Sequence, residues 1–156
     1  MIIIGIDPGT ATMGFGVIEK QGKKIKHIDH GVIKTSPELA PAERLKILYN
    51  EINSLIKKYN PDFLAVEKIF FFKNAKTVIS VAQAKGVILL AAAKKNIPIM
   101  EFTPLQVKMT IVGYGRADKK QVQKMIEILL NLKEIPRPDD AADALGVAIC
   151  CARELK

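Results

Sequence analysis

The apolar run Met1-Ile2-Ile3-Ile4-Gly5-Ile6 does most to limit what this chain can fold into. It is short, β-branched and free of polar residues, which marks a strand covered on both faces, and such strands belong to α/β sheets flanked by helices. Asp7 ends the run and Pro8-Gly9 breaks it. A second apolar run, Phe63-Leu64-Ala65-Val66, also ends on a carboxylate, Glu67. Between them Leu45, Leu48, Ile52, Leu55, Ile56 and Tyr59 recur at helical spacing. Two strands joined through a helix are natural parallel neighbours in a right-handed crossover. Asp7 and Glu67 are therefore expected at the same edge of one sheet. Taken alone, Asp7 reads equally well as the cap of the Pro-Gly turn.

The other segments fill out this sheet. Residues 13–19 and 25–34 read as a hairpin around Gly22, with Gly14, Gly16 and Ile18 on one face of its first strand, and a further strand falls near Ile97-Pro98-Ile99-Met100. That makes five strands of mixed direction. Residues 75–95 form a helix apolar on nearly every side, which needs cover from the sheet and from something else, a second copy of the chain being a candidate. Thr103-Pro104 opens a short helix, Asp118 and Gln121 cap another, and a last helix begins near Asp139, itself a plausible cap. His27 and His30, three apart in a strand, are expected on opposite faces and unable to share a metal. Cys150 and Cys151 have no Cys or His at metal-ligand spacing and read as reduced, partly buried thiols.

With 156 residues and no linker, repeat or low-complexity tract, residues 1–156 read as a single α/β domain. No apolar run is read as approaching the roughly 20 residues of a membrane span, and no signal peptide is apparent, so a soluble, cytoplasmic protein without membrane association is expected. Lys and Arg outnumber Asp and Glu by 24 to 16, a formal charge of +8 that favours an anionic partner, nucleic acid first. A lysine-rich solvated surface would give the same count.

Asp140 and Asp143 share one face of the last helix, in its first turn. The helix dipole favours acids there and accounts for any one of them. Alanines around the pair let the helix approach the sheet and carry both carboxylates inward. Gathered with Asp7 and Glu67, they would have either to take up protons or to bind cations. Oxygen donors suit Mg²⁺ or Mn²⁺. Two such ions about 4 Å apart serve in-line attack on a phosphodiester, and would raise the formal charge from +8 to about +12. Phe70-Phe71-Phe72, set among Lys68, Lys73 and Lys76, suits base stacking beside phosphate contacts, although such rings could also plug a core. Lys108 falls near the same sheet edge, and Arg116, Lys119 and Lys120 sit at a loop and helix start suited to phosphate.

Gly5-Ile6-Asp7-Pro8-Gly9-Thr10, Glu67 with Phe70 and Lys73-Asn74, Gln83-Ala84-Lys85-Gly86, Gln106-Val107-Lys108, Val112-Gly113-Tyr114-Gly115 and Asp140-Ala141-Ala142-Asp143-Ala144-Leu145 occur in this order over nearly the full length. Together they resemble the RuvC family of bacterial Holliday junction resolvases. The resemblance implies a ribonuclease-H-like fold and a homodimer that nicks a four-way DNA junction symmetrically, alongside the RuvA and RuvB branch-migration proteins in recombinational repair. It places Asp7, Glu67, Asp140 and Asp143 at the metal-binding catalytic positions, Phe70 at the base-stacking position, and Lys108 and Lys119 at basic positions needed for cleavage. Some relatives carry His where Asp140 stands here, so the all-carboxylate set leaves water activation more fully to Mg²⁺, or to Mn²⁺ in its place. The strand-Asp-x-Gly-Thr pattern also occurs in actin-like ATPases and sugar kinases, but those need two such halves. A non-catalytic DNA-binding module, with the acids as mere caps, is the third reading.

Overall fold

The computed structural model describes residues 1–69 and 75–155. Its elements, in order, are β1 (Ile2–Asp7), β2 (Thr12–Gln21), β3 (Lys24–Lys34), α1 (Pro41–Tyr59), β4 (Phe63–Glu67), α2 (Ala75–Lys94), β5 (Ile99–Phe102), α3 (Pro104–Val112), α4 (Lys119–Leu129) and α5 (Asp139–Glu154). The strands make one five-stranded sheet in the order β3-β2-β1-β4-β5. β1 pairs antiparallel with β2 and parallel with β4, and β4 pairs parallel with β5, so the sheet is mixed as expected.

The central position of β1 explains its unbroken apolar sequence. Ile3 faces a core shared with Ile18, Ala65 and the α5 residues Leu145, Ala148 and Ile149. Ile4 and Ile6 face the other core, with Leu48, Ile52 and Ile56 of α1 and Ala84, Ile88 and Ala91 of α2. Glycines on the α5 side of the sheet set how near that helix comes. A Cβ on Gly5 would lie 2.0 Å from the Ala144 carbonyl oxygen, and one on Gly14 only 1.9 Å from that of Asp140. Both oxygens are backbone and cannot swing aside. Gly14 is also the register partner of Asp7, so the first turn of α5 is pressed against the end of β1.

Capping boxes open α3 and α4: Thr103 with Gln106, and Asp118 with Gln121. α5 departs from expectation. Its N-cap is Pro138, whose carbonyl accepts from the backbone N–H of Ala141 and Ala142, so Asp139 is already helical and its side chain is free for other contacts. β5 starts immediately after Pro98, whose carbonyl accepts from the Leu64 N–H, and forms an edge of the sheet, as the proline suggested. Cys150 and Cys151 are free thiols and fully buried, more so than expected. Burial pushes both up, to about 11 and about 12, so neither is a ready nucleophile.

Two further expectations are corrected. His27 and His30 do not lie on opposite faces: their rings touch, with Nε2 of His27 2.8 Å from Nδ1 of His30. The cause is a bulge. Val17 pairs with Asp29 but Ile18 pairs with His27, which leaves Ile28 as an extra residue and reverses the alternation beyond it. In α2, residues Thr77–Lys94 have a mean hydropathy of 1.4, so one described helix is long and apolar enough by length and composition to cross a membrane. The expectation that no run approaches this length is therefore overturned. Within that window Lys85 pairs with Glu101 of β5, and Ala84, Ile88, Ala91 and Ala92 pack into the core, as in a helix lying on a sheet. Its outer face leaves Ile79 66% and Leu90 54% exposed.

Candidate active site

β1 and β4 end side by side, with Ile6 in register with Val66, and each strand delivers a carboxylate at its last residue, Asp7 and Glu67. α5 brings Asp140 and Asp143 to the same place from above the glycine face. Their convergence is written in the electrostatics of Asp7. Burial, then the charges of Glu67, Asp143 and Asp140, and a hydrogen bond with Glu67, push its carboxyl up to about 8. Asp143 is also raised, chiefly by burial and further by Asp140 and Asp139, against the opposing pull of Lys119.

Lys119 opens α4 and bridges two of the α5 acids, with Nζ 3.0 Å from Asp143 Oδ2 and 3.3 Å from Asp139 Oδ2. Burial pulls its ammonium down, but Asp143 and Asp139 outweigh this and leave it above its ordinary value. Gln123 is buried and donates to Asp139 at 3.0 Å, which steadies the first turn of α5 from the α4 side. The acids are thus engaged in pairs, Asp7 with Glu67 and Asp143 with Lys119. Among the described residues, no three of the Asp, Glu, His and Cys side chains stand as a ready-made metal donor set. Carboxylates crowded enough to lift Asp7 to about 8 are nevertheless the donor chemistry that fits a hard divalent cation.

The acids open into a cleft of about 520 Å³ whose walls include Asp7, Glu67, Asp143, Lys68, Thr77 and Lys108. A neighbouring recess of about 250 Å³ shares Glu67, Lys108 and Asp143 and adds Lys119. A larger cavity, about 700 Å³, lies at the far end of the sheet between Met1, Lys20 and Leu155, with no carboxylate side chain among the described residues that line it. Crowded acids mark the candidate site better than volume does. Of the expected phosphate-binding residues, Lys108 lines both the cleft and the neighbouring recess and Lys119 lines the recess alone, whereas Arg116 and Lys120 are exposed and line neither. Phe70 and Lys73, and the side chain of Lys76, lie outside the described residues. Thr77 and Gln123 were not singled out by sequence. Gln123 left a trace, a polar residue next to Val122 in an otherwise apolar stripe; Thr77 left none.

A family model described as "Crossover junction endodeoxyribonuclease RuvC" matches residues 3–151. The chain belongs to the RuvC family. Crossover junction endodeoxyribonuclease RuvC of Thermosipho melanesiensis is 58% identical over 156 residues, which is 100% of this chain and 99% of the relative. The structure of Thermus thermophilus RuvC superposes with a TM-score of 0.90 at 35% identity, covering 96% of this chain and 92% of that one. T. thermophilus RuvC in complex with a Holliday junction substrate gives 0.91 at the same identity and coverage. This RuvC-family chain accordingly has the ribonuclease-H-like fold that its motifs implied, and its activity is that of a crossover junction endodeoxyribonuclease. Membership of the RuvC family carries divalent-metal dependence with it.

Proposed function

We propose that residues 1–156 act as one nuclease domain that resolves four-way DNA junctions by paired, symmetric nicks, with Asp7, Glu67, Asp140 and Asp143 as its catalytic carboxylates. The single observation that carries this reading is Asp7, raised to about 8 by burial and by the other three acids together. In this reading the four carboxylates hold two Mg²⁺ ions, with Mn²⁺ able to replace them. Bound there, such ions would polarise the scissile phosphate and lower the pKa of an attacking water. The rest falls to the chain. Asp7 gives up the proton it retains up to about pH 8 as cation binding favours its charged form. Lys108 from the cleft wall and Lys119 from the adjoining recess hold the strand by its phosphates, and Arg116 and Lys120 meet phosphates farther along the duplex. Phe70 stacks on a base at the crossover, with Lys73 and Lys76 beside it. Water adds to phosphorus as the bond to the bridging oxygen breaks, the water losing a proton to solvent and the leaving oxygen taking one from it.

The working unit in this reading is a homodimer in the cytoplasm that acts with RuvA and RuvB. Symmetric nicking requires two active sites, and the exposed Ile79 and Leu90 give α2 an apolar outer face for a second copy. The double variant Ile79→Glu/Leu90→Glu is expected to be monomeric by light scattering at micromolar concentration, where the unaltered protein is dimeric. Equal masses for the two would remove α2 from the interface. Lys119→Met is expected to shift stability by no more than about 1 kcal/mol, because its ion pairs are half exposed. Its cleavage rate should nevertheless fall at least about 10-fold, and an unchanged single-turnover rate would leave Lys119 a surface contact only.

A labelled four-way junction and a linear duplex of the same arms, each incubated with protein and Mg²⁺, test the function itself. Junction-selective nicks at symmetric positions are expected, with no ATP hydrolysis. ATP turnover without nicking would return the chain to the actin-like reading.

A further inference from the structure

The bulge in β3 places two imidazoles together at the free edge of the sheet. His27 stands opposite Ile18 and His30 opposite Gly16, on one face, and their rings meet edge to face with centroids 4.9 Å apart at 61°. Both are half-buried. We propose that His27 Nε2 and His30 Nδ1 form a chelating pair for a borderline transition-metal ion, Cu²⁺ or Ni²⁺ before Zn²⁺, distinct from the carboxylate cleft.

The spacing carries this assignment. Two imidazole nitrogens on neighbouring positions of a square-planar or octahedral ion, with bonds of about 2.0 Å, stand about 2.9 Å apart. The observed separation is 2.8 Å. A tetrahedral Zn²⁺ places its ligands about 3.3 Å apart, so the pair would open by about half an ångström to accept it. Chelation needs each ring to turn until both lone pairs meet beside the line joining the nitrogens. It needs no net proton loss, because the ring that donates the present hydrogen bond can carry its proton on its other nitrogen. Burial, then the neighbouring His30, hold His27 below its ordinary value against the pull of Asp29, which keeps its ring in the neutral, ligating form at neutral pH.

Asp29, the carboxylate between the two histidines, is occupied elsewhere. Its Oδ2 accepts from Lys58 and from the Tyr59 hydroxyl, and its Oδ1 from the His30 backbone N–H at 2.9 Å. These bonds tie the bulged strand to α1 and hold the two histidines in place while water completes the coordination. Nitrogen donors at the sheet edge and oxygen donors in the cleft then sort ions by softness.

The chain has 2 histidines, so its imidazole ¹⁵N spectrum contains these two rings and no others. Zn²⁺ titrated into the full chain, with excess Mg²⁺ to occupy the acids, is expected to shift His27 Nε2 and His30 Nδ1 together with one midpoint. With Cu²⁺, electron paramagnetic resonance should report two imidazole nitrogens, and His27→Gln or His30→Gln should each weaken binding by about 10-fold or more. A shift of one ring alone, silence of both, or single variants with unchanged affinity would overturn the pair. The ring shifts are read on the unaltered protein, so the result stands even if a variant misfolds.

Discussion

Asp7→Asn is expected to reduce junction nicking by about 10³-fold or more, the equivalent of about 4 kcal/mol of transition-state stabilisation. Junction binding should survive, since Asn is as neutral as the protonated carboxyl it replaces and adds no negative charge to a cleft that must accept a polyanion. The same substitution should stabilise the metal-free protein. The folded-state carboxyl lies at about 8 against an ordinary 3.8, so between those values the folded chain keeps a proton that the unfolded chain releases. Stability therefore falls as pH rises through this window. Asn does not titrate and escapes the loss. At neutral pH, after discounting for solvent screening at a partly exposed group, the gain is on the order of 2 kcal/mol, or a rise in melting temperature of about 4–8 °C. Added Mg²⁺ should raise the melting temperature of the unaltered protein and leave the variant nearly unmoved. Opposite signs for activity and metal-free stability distinguish a functional carboxylate from a turn cap, whose loss would lower both. A variant less stable than the unaltered protein in chelator at neutral pH would contradict this account of Asp7.

Gly14→Ala is expected to impair the same centre without touching a carboxylate. The added Cβ would lie 1.9 Å from the Asp140 carbonyl oxygen, so the first turn of α5 must lift away from β2. Overpacking of this kind costs about 1–3 kcal/mol of stability. A displacement of about 1 Å at catalytic groups costs on the order of 10²-fold in rate. The loss should appear in single-turnover cleavage by the folded variant, with junction affinity nearly kept. A folded Gly14→Ala protein that nicks at full rate would mean that the seat of α5 on the strand does not set the site.

What the residues disclosed and what they hid follow from how far each signal acts. Strands ending on Asp7 and Glu67 were legible because a buried central strand must be apolar along its whole length, which leaves its terminal carboxylates conspicuous. The approach of α5 was legible in Gly14 and Gly16 on one face and in the alanines around Asp140 and Asp143. The histidine pair was not, because strand alternation holds only while register does, and the slip between Val17 and Ile18 has no marker such as a glycine or proline. The capping role given to Asp139 failed because Pro138 can take that position through its backbone alone, which frees the carboxylate for Gln123 and Lys119. Lys119 looked like a phosphate ligand by its place at a helix start. That it also grips Asp143, a tertiary contact across 24 residues of chain, no local pattern could disclose.

The most direct test of the carboxylate centre is single-turnover nicking of a labelled four-way junction in Mg²⁺ by Asp7→Asn, Glu67→Gln, Asp140→Asn and Asp143→Asn, singly and in pairs. Groups acting as one unit give grossly non-additive losses. Each single variant is therefore expected to lose nearly all activity, with paired variants little worse than the singles. Any one of the four nicking at near the unaltered rate, or losses that multiply cleanly in the pairs, would contradict a single four-carboxylate centre.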